Sequence, residues 1–170
     1  MALFLCQLRI QEEDLTKKLA TLSFVAGILA ATVPHASAEV VMPDAVMIED
    51  GAIAGSLTGS AGDAENGRKV FANRKQGNCL ACHMNKDLSE QPFHGEVGPS
   101  LDGVAGRWEE AELRAILVNS KIALSEETIM PSFYRSKNGA RTLEKFDGKT
   151  ILTAEQVEDV LAYLKTLKEE

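Results

Sequence analysis

Cysteine, histidine and aromatic residues are all scarce here. Of 170 residues, three are cysteine, three are histidine and 5% are aromatic. So few rings make a thin core from side chains alone, although 45% of the chain is hydrophobic. A bulky apolar ligand would make up the deficit. Cationic excess is also missing. The formal net charge is −7, which argues against binding nucleic acid by neutralising phosphates. No apolar run is long enough for a confident membrane span. Leu19–Val33 is a 15-residue stretch without a charge, rich in small residues.

What is present at the start of the chain reads as an export signal. Lys17 and Lys18 precede the apolar stretch, and Ala36-Ser37-Ala38 has the A-x-A form of a cleavage site. Residues 1–16 are long for an n-region and carry Glu12, Glu13 and Asp14. Residues 1–38 are therefore expected to be a signal peptide, and the mature chain periplasmic without a membrane span. The bland alternative is an uncleaved amphipathic anchor. Cleavage would remove Cys6 and His35, leaving Cys79, Cys82, His83 and His94.

Three of those four residues are contiguous in spacing. Cys79-Leu80-Ala81-Cys82-His83 is C-x-x-C-H. A thioredoxin-like dithiol needs this motif at a strand-to-helix junction, but the upstream residues 63–73 read as helix. A structural zinc site needs four ligands, usually as two pairs, and only His94 is left over. A Cys79–Cys82 disulfide suits an exported chain but leaves His83 unexplained. Covalent haem needs only what is there: two thiols for the two vinyl groups and an imidazole for the iron. Export raises the case for haem.

A second axial ligand would come from Met42, Met47, Met84, Met130 or His94. Met84 adjoins His83 and cannot reach the opposite face of a haem. Met42 and Met47 lie in a segment that precedes the domain. Met130 stands before Pro131, 47 residues after His83. The proline stiffens the backbone and ends any helix before it, so a loop could hold the thioether at the iron. Its competing role is core filling. His94 is the rival ligand, only 11 residues after His83, in what reads as an exposed loop or interface.

Together with Gly67, Phe71, Gly98-Pro99-x-Leu101 and a C-terminal amphipathic helix, these motifs resemble a class I c-type cytochrome. That resemblance implies an all-α fold, with helices wrapped around one covalently bound haem c. It implies thioethers at Cys79 and Cys82, axial ligands at His83 and Met130, and a Pro99 carbonyl that orients the His83 ring. An ordinary Gly-Pro turn is the alternative for Pro99. Trp108 stands where the family often places an indole that donates to a haem propionate; a plain core role is the alternative. The C-terminal helix has a capping box, Thr153-x-x-Gln156. Val157, Val160, Leu161, Leu164 and Leu167 follow at helical spacing. Gly67 is expected to let that helix approach, with Tyr163 or Leu164 as its contact. A middle helix is expected from near Trp108, with Leu113, Ile116 and Leu117 on one face.

Residues 39–62 mix apolar and acidic residues and end in a Gly/Ser-rich stretch, Gly55–Gly62. They read as a loose tail or as an arm that docks on a partner chain. The cytochrome domain is expected over 63–170.

The stretches GVAGRW, TIMPSFY and FDGKTILTAEQVEDVLAYLKTL are similar to the SoxX family, the monohaem subunits of SoxAX thiosulfate-oxidising complexes. The similarity covers about 63–170 and reaches weakly into 39–62. It implies a heterodimer with a SoxA-type haem subunit, a carrier protein that receives the sulfur, and a downstream cytochrome acceptor. In that family the catalytic cysteine belongs to the larger subunit, so this chain would be the non-catalytic electron-accepting subunit. The runner-up is a free-standing class I cytochrome c carrier. A small haem enzyme or a non-haem disulfide module is a more distant reading.

Overall fold

Three helices carry the architecture. The computed structural model describes residues 39–137, 139 and 142–168. The segment read as a signal peptide therefore lies outside the described residues. Helix α1 spans Ala64–Ala72, α2 spans Glu110–Ala123 and α3 spans Ala154–Leu164. Short 3-10 turns at Pro43–Ala45, Cys79–Ala81, Lys86–Leu88, Val104–Gly106 and Glu144–Phe146 join them. Among the described residues there is no β-strand, only one isolated bridge, Glu49 with Ala52. The expected all-α class is what the chain adopts.

Each helix starts where local chemistry satisfies its free N–H groups. Asp63 accepts from the N–H groups of Glu65 and Asn66 at 2.8 and 3.2 Å, a cap of the usual kind. Thr153 and Gln156 form the expected capping box: the Gln156 N–H donates to Thr153 Oγ1 and the Thr153 N–H to Gln156 Oε1. Glu112 turns back to accept from the Glu109 N–H at 2.8 Å. Helix α2 is not continuous. Asn119 leaves helical geometry (φ −149°, ψ 82°), so the last turn is kinked away from the first nine residues.

Helices α1 and α3 pack tightly. Phe71 and Tyr163 meet edge-to-face at 5.5 Å between centroids, a favoured aromatic geometry. The crossing point is Gly67, but its contact is neither Tyr163 nor Leu164. A Cβ there would collide with the Asp159 carbonyl oxygen. The glycine is needed because backbone, not a side chain, lies opposite. Gly67→Ala must push the helices apart, and overpacking of this kind costs about 1–3 kcal/mol. Denaturant unfolding of the variant would show it; an unchanged midpoint would mean the crossing is loose.

Residues 39–62 are not a loose tail: part of the segment packs into this chain's own core. Leu57 is 1% exposed and Ile53 is also buried, both within the common core. Full burial of one such side chain contributes roughly 1.5–3 kcal/mol. The arm's backbone is tied down as well. The Ile53 N–H donates to the Ala111 carbonyl at 2.9 Å, and the Tyr134 hydroxyl donates to the Val41 carbonyl at 2.8 Å. A buried ion pair, Arg114 with Glu158, sits beneath it. Arg114 Nη1 donates to the Ile53 carbonyl at 2.9 Å, and Glu158 Oε1 accepts from the Leu57 N–H at 2.8 Å. No helix among the described residues is long and apolar enough to cross a membrane.

Candidate haem-binding site

A cleft of about 510 Å³ opens between the C-x-x-C-H turn, α2 and the loop after it. Cys79, Cys82, His83, Pro99, Trp108 and Met130 all line it. The sequence spreads these residues over 52 positions; the fold brings all six together.

The cysteine turn follows from its backbone. Asn78 sits in the left-handed region (φ 51°) and starts the 3-10 turn Cys79–Ala81. The Cys82 and His83 N–H groups both donate to the Cys79 carbonyl, at 3.1 and 3.0 Å. That winding places both thiols and the imidazole on the cleft wall. Burial pushes the Cys79 thiol up to about 12. Redox dithiols work by the opposite shift, toward thiolate near neutral pH.

His83 is oriented by its own second nitrogen. Nδ1 lies 2.7 Å from the Pro99 carbonyl oxygen. A carbonyl can only accept, so Nδ1 carries the proton and the free lone pair is on Nε2. Such a bond fixes the tautomer and makes the imidazole a better donor to a metal. Pro99 is thus more than a turn residue. Gly98 serves the same arrangement, because a Cβ there would run into the His83 ring.

The other candidate ligands are elsewhere. The His94 ring accepts from the Asn85 N–H at Nδ1 (3.3 Å) and donates from Nε2 to the Leu88 carbonyl (3.1 Å). Both nitrogens are used, and His94 does not line the cleft. His94 is not a fully exposed loop residue: it is part-buried and staples its own loop. Met42, Met47 and Met84 are exposed and away from the cleft. Met130 is the methionine that lines it, partly buried against the core. Trp108 is 40% exposed at the cleft wall, so the plain core role is excluded.

The lining fits a haem. Its walls are apolar: Phe71, Val104, Leu113, Ile116, Leu117 and Phe133 contribute. Its charged lining residues, Arg74, Lys75 and Lys145, are all cations, although the whole chain is acidic. An apolar macrocycle with two carboxylates matches that combination. Among the described residues no cluster of His, Cys, Asp and Glu could hold a bare metal ion.

Comparison with known proteins agrees. The cytochrome c family matches residues 64–168. The chain therefore belongs to the cytochrome c family, and as such carries covalently bound haem c. A solved structure, described as SoxXA from P. pantotrophus, is similar at 40% identity and a TM-score of 0.72. The match covers 77% of this chain and 100% of that one. The resemblance to a SoxX-type cytochrome c read from the sequence is thus supported by a structure. No curated protein matches the chain.

Two features of the site were missed in the sequence. One is the His94 staple, whose partners are main-chain groups that no side-chain motif announces. The other is the pair of polar residues that support the Met130 loop, Ser120 and Ser132. Both are buried, and a serine past the helix break or in the loop after Pro131 gives no periodic signal.

Proposed function

We propose that this chain is the electron-accepting monohaem subunit of a periplasmic SoxAX-type complex, which oxidatively joins thiosulfate to a cysteine of a carrier protein. Cys79 and Cys82 would hold the haem as thioethers. His83 Nε2 and the Met130 sulfur would be its axial ligands, with Pro99 orienting His83 and Trp108 donating to a propionate. When bound, the haem supplies a reversible one-electron store. The chain's own residues bring the His83 imidazole and the Met130 thioether to one cleft, line it with apolar side chains, and place the Arg74, Lys75 and Lys145 cations where carboxylates could be paired. With His83 and Met130 both bound, the iron's coordination would be filled, which favours electron transfer over binding of small molecules.

The single observation that carries this reading is the full-length match to a chain of a SoxXA structure. The chemistry of this chain supports the division of labour. Sulfur transfer needs a free nucleophilic thiol, and neither cysteine of the cleft would remain free. Joining two sulfurs releases two electrons and one haem accepts one. The larger haem subunit or a second handover must take the other, and a downstream cytochrome must collect both.

The test is size exclusion of the native exported protein. Co-elution with a larger haem-bearing subunit that has thiosulfate-conjugating activity is expected. A clean monomer in extract would instead identify a free-standing carrier.

A further inference from the structure

The loop that presents Met130 hangs from the broken end of α2. Helical geometry fails at Asn119, and the carbonyls just before the break accept from the far side of the loop. Leu117 O takes the Phe133 N–H at 3.0 Å and Val118 O takes the Tyr134 N–H at 3.3 Å. Those bonds anchor the loop downstream of Met130. Upstream, the Lys121 ammonium donates to the Thr128 carbonyl. Beside Asn119 itself, Ser132 Oγ donates to Asn119 Oδ1 at 2.9 Å. Two side chains reach the backbone of Met130. Thr128 Oγ1 accepts from its N–H at 3.3 Å. Ser120, 0% exposed, donates from Oγ to the Met130 carbonyl at 2.7 Å.

We propose that Ser120 is a positioning residue for the Met130 sulfur, acting as a latch that must be released before the thioether can leave the iron. This rests on the reading of Met130 as an axial ligand. A thioether is a weak donor, so its occupancy depends on how firmly the protein presents it. Pro131 already restricts the Met130 backbone on one side. The Ser120 bond fixes the carbonyl, and with it the peptide plane that sets where the Met130 side chain starts. When the loop swings away, the buried hydroxyl and carbonyl part company. Ser120→Ala removes that cost from opening but leaves an unpaired carbonyl in the closed state. The methionine-off population should then rise roughly five- to thirtyfold, the range that one buried hydrogen bond commands.

The experiment uses the full exported holoprotein. Wild type, Ser120→Ala, Met130→Ala and Val157→Ala are compared. Three quantities are read: the sulfur-to-iron charge-transfer band of the oxidised protein across pH, carbon monoxide binding to the reduced protein, and the thermal midpoint. Val157 is fully buried in α3 and does not line the cleft, so its variant reports general loss of stability. The proposal expects Ser120→Ala to lose the band at lower pH and to bind carbon monoxide at least fivefold better than Val157→Ala at a comparable thermal midpoint. Equal ligand behaviour in those two variants, or a band unchanged from wild type, overturns the latch while leaving Met130 as the ligand. A wild type without the band, spectrally matched by Met130→Ala, would instead overturn the ligand assignment itself.

Discussion

Met130→Ala is expected to produce a coloured, covalently loaded protein whose reduced iron binds carbon monoxide and whose reduction potential is lower. With Cys79 and Cys82 taken up as thioethers, His83 and Met130 are left as the imidazole and thioether donors on the cleft walls. Thioether sulfur is a soft donor that favours ferrous iron. Its loss leaves a coordination position to water, which favours ferric iron, and opens it to small ligands. The potential should fall by an appreciable part of the roughly 0.8 V that axial ligation spans. Colour should persist, because attachment depends on Cys79 and Cys82 rather than on the methionine. Met84→Ala is the control: that side chain is exposed and does not line the cleft, so its substitution should leave spectrum and potential unchanged. If the two variants behave alike, the sulfur comes from somewhere other than Met130.

Glu158→Ala is expected to be the most damaging single change to the fold outside the cleft. Arg114 and Glu158 have side chains 4% and 3% exposed. Arg114 Nε and Nη2 donate to the two carboxylate oxygens at 2.9 and 3.2 Å. Removing the carboxylate strands a buried guanidinium, whose remaining partners are the Ile53 carbonyl and the half-buried Glu110. It also orphans the Leu57 N–H. Breaking a buried pair from one side costs about 3–5 kcal/mol. The arm should also loosen, because both residues hold its backbone. Denaturant unfolding should show the loss, and limited proteolysis should cut within residues 54–62 faster than in wild type. Replacing both partners with apolar residues, Arg114→Met with Glu158→Leu, should recover much of the stability. A Glu158→Ala protein within about 1 kcal/mol of wild type would mean that the arm is held by its apolar contacts alone.

The site was legible in the sequence because its chemistry is local or stiff. C-x-x-C-H packs three functional groups into one turn. Gly-Pro before Leu101 and Met-Pro at 130 each mark a backbone that can hold one atom in place. The capping box at Thr153 is equally local, so α3 starts where expected, and α1 falls within the stretch 63–73 read as helix. What was hidden depends on groups far apart along the chain. Glu158 reaches the Leu57 N–H across 101 residues, and nothing in the mixed acidic and apolar stretch 39–62 announces that Ile53 and Leu57 turn inward. His94 looked free because its partners are the Asn85 N–H and the Leu88 carbonyl, groups that every residue has. Gly67 was read correctly as a close approach, but helix phase alone could not say that the Asp159 backbone, rather than a ring, sits opposite. The break in α2 has no proline or glycine at Asn119 to mark it.

Intact mass of the exported protein after denaturation and reduction tests the central claim most directly, since only a covalent bond survives that treatment. The mature chain should be heavier than its polypeptide by one haem, and peptides spanning 79–83 should carry the addition. A chain of bare polypeptide mass, recovered from cells that mature other c-type cytochromes, would contradict the account at its root.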